Sequence, residues 1–442
     1  MDRMARNSGR TGMRGKLTMI AGWALMLATP LAAQAAPADF DSLFDAAGRG
    51  DIAPITHALA EAHDPDMAAL LRAALAAARF DPAAAHDPAL MRLAQADAEP
   101  ARRRAALGIM TGAAFGSGDY ATAARVGEAY ADALRANGKA EEAAGADRTW
   151  RLAALLAGRP AQRVDGAVAA GSIPLTRDQA GLPRISIGVN GGAQEAVFDT
   201  GANLSVLSAS TAERLGVATI EGNLEVGNGV ATTVPVRVGI ADRVEIAGTI
   251  LRNVAFLIID DDQLTFPGGY SIQAIVGLPV MRPLGRITAE AAGRLVVSPS
   301  AGPGGAPNLH ANVNDIYVDA LIDGDPVAMH VDTGATQTKL SALYAAAHPE
   351  RIAGLRRGNA RTASAGGRRE SQIAAWEGAP LTLAGRNATM PVLPVSLPAE
   401  GPTPTSYGTI GSDLLGRFES YTIDFGAMRL ELGEPRADPP RG

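Results

Sequence analysis

The chain has 442 residues, of which 47% are hydrophobic and 19% charged, with a formal net charge of −6; that balance predicts a folded chain of several domains rather than a disordered one. It contains no cysteine, which excludes disulfide scaffolds, thiolate metal sites, a cysteine nucleophile and a lipidated lipoprotein N-terminus. Its six histidines form no His-x-His or His-x-x-x-His pair, so the sequence points to no histidine metal site and no cofactor.

In chain order, Arg3, Arg6, Arg10, Arg14 and Lys16 precede an apolar stretch from Leu17 to Ala33, broken by Pro30. Ala33-Gln34-Ala35 then fits a small-x-small cleavage site. Residues 1–35 are predicted to be an export signal. The mature chain would start at Ala36, be periplasmic or secreted, and keep no stable membrane insertion; the alternative is an uncleaved anchor at residues 17–35. Cleavage removes five basic residues and Asp2, leaving 35 basic against 45 acidic residues. That acidic balance gives no support to nucleic-acid binding.

Residues 36–165 are alanine-rich and patterned for helices. Ala121–Arg135 places Ala124, Val126, Ala129, Tyr130, Ala133 and Leu134 near one helical stripe. Gly50-Asp51 and Gly118-Asp119 lie 68 residues apart, twice 34, which suggests tetratricopeptide-like helix-turn-helix repeats; Asp81-Pro82 falls near the middle copy but out of register. Such a region serves either as a docking platform for a partner protein or as a packing domain.

From Leu182 the texture changes to short Val/Ile-containing runs between Gly, Asn and Asp, which signals β structure. A repeat organises it. Asp-Thr-Gly-Ala occurs at Asp199-Thr200-Gly201-Ala202 and at Asp332-Thr333-Gly334-Ala335, 133 residues apart. Nine residues before each aspartate is a two-residue hairpin signal, Asn190-Gly191 or Asp323-Gly324. Six residues after it stands a hydroxyl, Ser205 or Thr338, then Leu207-Ser208 or Leu340-Ser341. Ile275-Val276-Gly277 and Thr409-Ile410-Gly411 complete the two copies. The two units are predicted at residues 180–298 and 310–433, joined by a Gly/Pro linker at 299–309 and followed by a loose tail at 434–442. The first unit's closing stretch, Ile287-Thr288-Ala289-Glu290, lacks the aromatics of Tyr421-Thr422-Ile423-Asp424-Phe425 and predicts a less regular edge there.

Over residues 180–433 these motifs resemble the retropepsin-like aspartic proteases. The resemblance implies a multidomain protein: an N-terminal α-helical repeat-like domain followed by two all-β retropepsin-like (acid protease) lobes. It implies an aspartic-type endopeptidase acting on peptide or protein substrates, with Asp199 and Asp332 as an intramolecular catalytic pair. Two carboxylates about 3 Å apart cannot both ionise; they share a proton, so one can act as base while the other acts as acid on a single bound water. Gly201 and Gly334 would let backbone approach closely. By the resemblance, Thr200 and Thr333 cross-bond beneath the site, Ser205 and Thr338 brace the loops, and the apolar-apolar-Gly segments pack behind them.

Flap tips that close over substrate are expected at Val226-Gly227-Asn228-Gly229 and at Ser364-Ala365-Gly366-Gly367, with Gly227, Asn228, Gly229, Gly366 and Gly367 as substrate-binding positions. Arg356, Arg357, Arg361, Arg368 and Arg369 near the second flap read as a solvated face or as a bias towards acidic side chains. His330 shares the strand face of Asp332 and reads as a polar strand contact. The reading from a different class is a non-catalytic peptide-binding protein that keeps the fold.

Overall fold

The computed structural model describes residues 40–227, 233–266, 268–302, 305–364, 367–399 and 404–436. The export signal expected at residues 1–35 lies outside the described residues.

Among the described residues seven helices come first: α1 (Phe40–Gly48), α2 (Ala53–Glu61), α3 (Pro65–Ala77), α4 (Pro88–Leu93), α5 (Pro100–Ser117), α6 (Tyr120–Ala136) and α7 (Ala140–Leu156), with a 3-10 turn at Pro82–His86. Four of these segments start at an acid–proline step. Asp64, Asp81, Asp87 and Glu99 each accept the backbone N–H two residues on, while the following proline supplies a first-turn residue with no N–H to satisfy. The predicted Gly-Asp punctuation also has a local cause. Gly118 ends α5 in the left-handed region (φ 82°), and Asp119 accepts the Thr122 N–H at 3.1 Å to start α6. Asp81-Pro82, out of step with the 34-residue spacing, opens the 3-10 turn. On α6 the buried set includes Ala123 and Ala131 beside Val126, Ala133 and Leu134. The apolar face is wider than one stripe because α6 packs between α5 and α7.

Among the described residues the β region forms two closed sheets with the same connectivity, a third sheet shared between them, and a two-stranded ribbon of Thr265–Phe266 with Tyr270–Ser271. In the first, the hairpin Pro183–Val189 and Gly192–Phe198 turns at Asn190 (φ 48°) and Gly191 (φ 87°). In the second, Asp315–Ile322 and Asp325–Val331 turn at Asp323 (φ 51°) and Gly324 (φ 87°). Two successive positive φ values define the turn whose twist matches the strands it joins. In each sheet a short strand, Ala274–Val276 or Gly408–Ile410, inserts parallel to the end of that hairpin and antiparallel to the strand after the Asp-Thr-Gly-Ala loop. Closure comes from Gly188 and Val189 pairing with Glu245 and Val244 in the first sheet, and from Ala320–Ile322 pairing with 381–383 in the second. A closed sheet leaves few unpaired edges and encloses its own core.

The third sheet runs in the order Gly171–Pro174, Arg294–Ser298, Arg286–Glu290, Ser420–Asp424, Arg429–Leu432. The weak edge expected at 287–290 is therefore corrected: this stretch is a regular strand at the centre of a sheet, paired with its counterpart from the second unit. Ile287 opposes Ile423, Thr288 opposes Thr422, and the two threonine hydroxyls meet at 2.8 Å. Its partner supplies the aromatics that the strand itself lacks. The segment expected as a linker is also tied down in part. Buried Asp424 accepts Ser300 Oγ at 2.5 Å and the Ala301 N–H at 3.2 Å, and Asn308 Nδ2 donates to Leu430 O at 2.9 Å. The start of the expected tail is held likewise, with the Glu419 N–H on Glu434 O and the Arg436 N–H on Arg417 O.

The helices are not tethered at a distance from the sheets. Phe115, Leu152 and Leu156 share one core with Leu204, Val206, Val236 and Leu257 of the first sheet. Towards the second sheet, the Ala311 N–H donates to Ala78 O (2.8 Å), and Asn312 Nδ2 donates to Gly48 O (2.7 Å).

This shared core generates a prediction. Phe115→Ala should cost about 3–5 kcal/mol, and circular dichroism should show the helical and β signals melting together at a lower temperature. Separate melting of the two signals would contradict a common core.

Candidate active site

Each Asp-Thr-Gly-Ala loop is held from behind by its own sheet. The Asp199 N–H donates to Val276 O and the Asp332 N–H to Ile410 O, both at 3.0 Å. Ser205 Oγ accepts the Gly277 N–H and Thr338 Oγ1 the Gly411 N–H, again both at 3.0 Å. A Cβ on Gly277 would lie 2.5 Å from Ala202 O, and one on Gly411 would lie 2.6 Å from the Gln337 carbonyl carbon. Glycine is required at both places by close approach of backbone.

The two loops then hold each other. The Thr200 N–H donates to Thr333 Oγ1 (3.0 Å), and the Thr333 N–H donates to Thr200 Oγ1 (3.1 Å). Each hydroxyl passes its own proton on across the interface, Thr200 Oγ1 to Val331 O (2.6 Å) and Thr333 Oγ1 to Phe198 O (2.8 Å). Both threonines are fully buried, and the N–H and the hydroxyl of each find their partners in the other unit.

Above this crossing the aspartates come together. A Cβ on Gly201 would lie 2.6 Å from the Asp332 carboxyl carbon, and one on Gly334 would overlap the Asp199 carboxyl. Each carboxyl thus rests against the glycine of the opposite loop. The Gly201 N–H donates to Asp199 Oδ1 (2.8 Å) and the Ala335 N–H to Asp332 Oδ1 (2.9 Å). The Asp199 carboxyl sits well above the usual carboxylate range. Burial is the main cause, followed by the Asp332 charge and the hydrogen bond that the protonated Asp199 carboxyl donates to the Asp332 carboxyl, which together outweigh the Gly201 N–H. Among the described residues no group of three or more His, Asp or Glu is placed to hold a metal ion.

The remaining sequence candidates fall around this centre. Gly227 pairs with Thr233 at the tip of one long hairpin, and Gly367 pairs with Ser364 at the tip of another; Asn228, Gly229 and Gly366 lie outside the described residues. Gly227 and Thr233, with Arg361, Thr362 and Arg369 of the second hairpin, line the same cavity as Gly201 and Asp332.

Some groups at the site carried little sequence signal. His330 lines this cavity too, with Nε2 3.3 Å from Asp315 Oδ1 and its ring 5.5 Å from that of Tyr317. Burial works against its charge, but contact with Asp315 and the fields of Asp315, Asp332 and Asp199 prevail, so its pKa is raised. The first unit has Val197 at the matching position. Asp413, two residues past Gly411, accepts both Thr338 Oγ1 (2.6 Å) and the Thr338 N–H (2.8 Å). The first unit has Pro279 there. Comparing the two copies position by position exposes both differences.

Residues 185–280 match a family model described as aspartyl protease. That stretch contains Asp199, Ser205 and Gly277 and stops short of Asp332. Comparison with curated proteins gives no match. Among solved structures, the chain is similar to a retropepsin-like aspartic protease from Rickettsia conorii at 16% identity and a TM-score of 0.21, covering 31% of this chain and 94% of that one.

Two predictions follow from the geometry. Thr333→Val leaves the Thr200 N–H and Phe198 O buried without partners and should lower stability by about 2–5 kcal/mol in chemical denaturation, whereas Thr333→Ser should retain most of it. The second concerns Asp199. Between the ordinary carboxylate value of 3.8 and its raised value, the folded protein holds a proton that the unfolded chain has released. The stability linked to that proton is fully present below the unfolded pKa and declines as pH rises through the raised one. Asp199→Asn cannot titrate, so its melting temperature relative to the wild type should climb with pH across this window. A difference that stays flat would contradict the raised pKa.

Proposed function

We propose that the chain is an exported aspartic endopeptidase that hydrolyses peptide bonds with a water activated by Asp199 and Asp332 of the same chain. The observation that carries this reading is the crossed threonine arrangement, which brings two carboxyls into contact over two opposed glycines. Export rests on the pattern of residues 1–35; among the described residues no helix is long and apolar enough to cross a membrane.

The chemistry follows from one proton shared by two acids. A water held between the carboxyls gives its proton to the ionised one as its oxygen attacks the scissile carbonyl carbon. The protonated carboxyl donates to the carbonyl oxygen, so no free oxyanion has to be stabilised. Collapse of the tetrahedral intermediate then returns a proton to the leaving amine nitrogen. The raised pKa of Asp199 supports retention of the shared proton towards neutral pH, and the two macroscopic titrations belong to the pair. Ser205, Thr338, Thr200 and Thr333 act by position alone, through the hydrogen bonds that hold the two loops. The two long hairpins that contribute Gly227, Thr233, Arg361, Thr362 and Arg369 to the cavity are suited to holding an extended peptide.

The test is cleavage of a diverse peptide library by the mature chain, residues 36–442, from acid to neutral pH, beside Asp199→Asn and Asp332→Asn. Cutting by the wild type and loss of at least about a thousandfold in kcat/KM in each single variant is the expected result. A folded wild type as inert as both variants would replace this reading with the non-catalytic peptide-binding one.

A further inference from the structure

The cavity that holds Asp332 extends well beyond the two aspartate loops. It has a volume of about 1930 Å³, roughly twice the upper range for small-molecule sites. Its walls come from the two hairpins, from the second sheet and from the helical region. The helical contribution is selective. Phe44 of α1, Ala74 and Ala77 of α3, Gly112 of α5 and Thr149 of α7 line it, whereas α2 and α4 contribute nothing and α6 only Tyr130. One face of the helical region, built from alternate helices, therefore opens onto the cleft.

Its charge is opposite in sign to that of the chain. The lining holds eight Arg and Lys against five Asp and Glu, in a protein with 46 acidic and 40 basic residues. Arg104 and Lys139 are neutralised locally by Asp41, and Lys139 also lies 3.4 Å from Glu142. Arg361 lies 3.6 Å from Glu370. Three half-buried cations remain with no carboxylate at ion-pair distance among the described residues: Arg49, Arg282 and Lys339. Arg49 follows α1, lies over the Tyr407 ring (5.7 Å to its centroid), and has its Nε buried without a hydrogen-bond partner. Arg282 follows the short helix Leu278–Met281 of the first unit and lies over Phe80 (4.8 Å). Lys339 is seven residues past Asp332, on the strand that pairs with Thr409. Partly desolvated cations without counter-ions are costly alone and favourable once an anion arrives.

We propose that the cleft and the inner face of the helical region form one channel for an extended polypeptide carrying acidic side chains close to the scissile bond, with Arg49, Arg282 and Lys339 as the groups that read those acids. The proposal rests on the endopeptidase reading for its scissile bond, but the channel makes a binding prediction of its own. The helical region then belongs to the substrate site, and Arg49 is its specificity-determining contribution.

The experiment uses the mature chain carrying Asp199→Asn, so that the probe stays intact. Two fluorescein-labelled extended peptides of equal length, differing only in Glu or Gln at the flanking positions, are titrated by fluorescence anisotropy. The Glu peptide should bind about tenfold more tightly, as a charge-assisted contact in a half-buried site allows, and the preference should shrink with added salt. Arg49→Ala should reduce the Glu/Gln ratio at least threefold and Arg49→Lys should preserve it, with the melting temperature of each variant reporting on folding. Lys339→Glu should turn the preference towards a matched Lys peptide.

Equal affinity for the Glu and Gln peptides overturns the proposal. So does a ratio untouched by Arg49→Ala, which would exclude the helical region from the site. Cleavage assays with the dyad intact separate the two readings. Charge-selective binding without cleavage removes the endopeptidase reading alone, and cleavage without charge preference removes the channel alone.

Discussion

Everything at the site depends on four buried hydrogen bonds. An N–H and a hydroxyl from Thr200, and the same pair from Thr333, are removed from water beneath the aspartates, and each finds its partner only in the other unit. Each loop satisfies its threonine N–H only through the other, and leaving such groups unpaired is costly. The constraint is geometric as well as energetic. With Thr200 and Thr333 fixed across the junction, Gly201 lies under the Asp332 carboxyl and Gly334 under that of Asp199. Two like charges are brought together by neutral bonds one residue away, and the repulsion is relieved by keeping a proton.

The sheet shared by both units repeats this logic further from the chemistry. Thr288 and Thr422 face each other across its centre, and Arg286 bridges Asp424 and Glu431 of the opposite unit. Asp424, buried and hydrogen-bonded to Ser300 and Ala301, fastens the connecting segment to the same sheet. The helical region adds a third support through the core that Phe115 and Leu156 share with Leu204 and Val206. Those two first-sheet residues flank Ser205, so the packing of α5 and α7 reaches the residue that braces the Asp199 loop.

The parts of this design visible in sequence were those fixed by local chemistry. Positive φ at Asn190-Gly191 and Asp323-Gly324, close approach at Gly277 and Gly411, and a hydroxyl six residues past each aspartate leave a mark on residue type wherever they occur. The strand at Arg286–Glu290 shows little of its regularity in its own residues because that regularity is supplied by its neighbour; pairing with Tyr421 and Ile423 compensates for aromatics it does not have. The helical starts at Asp64-Pro65, Asp87-Pro88 and Glu99-Pro100 carry a local signal of their own, an acid before a proline, that is independent of any 34-residue spacing. The positions of His330 against Asp315, and of Arg49 against Tyr407, depend on which elements meet in space, and neither residue type announces that.

Placing both units in one chain frees them to differ. Where His330 stands, the other copy has Val197; where Asp413 supports Thr338, the other copy has Pro279. A site made from two identical subunits looks the same after a half-turn, so a peptide threaded forwards and one threaded backwards meet the same groups. Here the half-turn exchanges an imidazole for an isopropyl group. The site has a direction. Two ways of laying a peptide across it would differ in energy, much as a keyed socket admits a plug in one orientation.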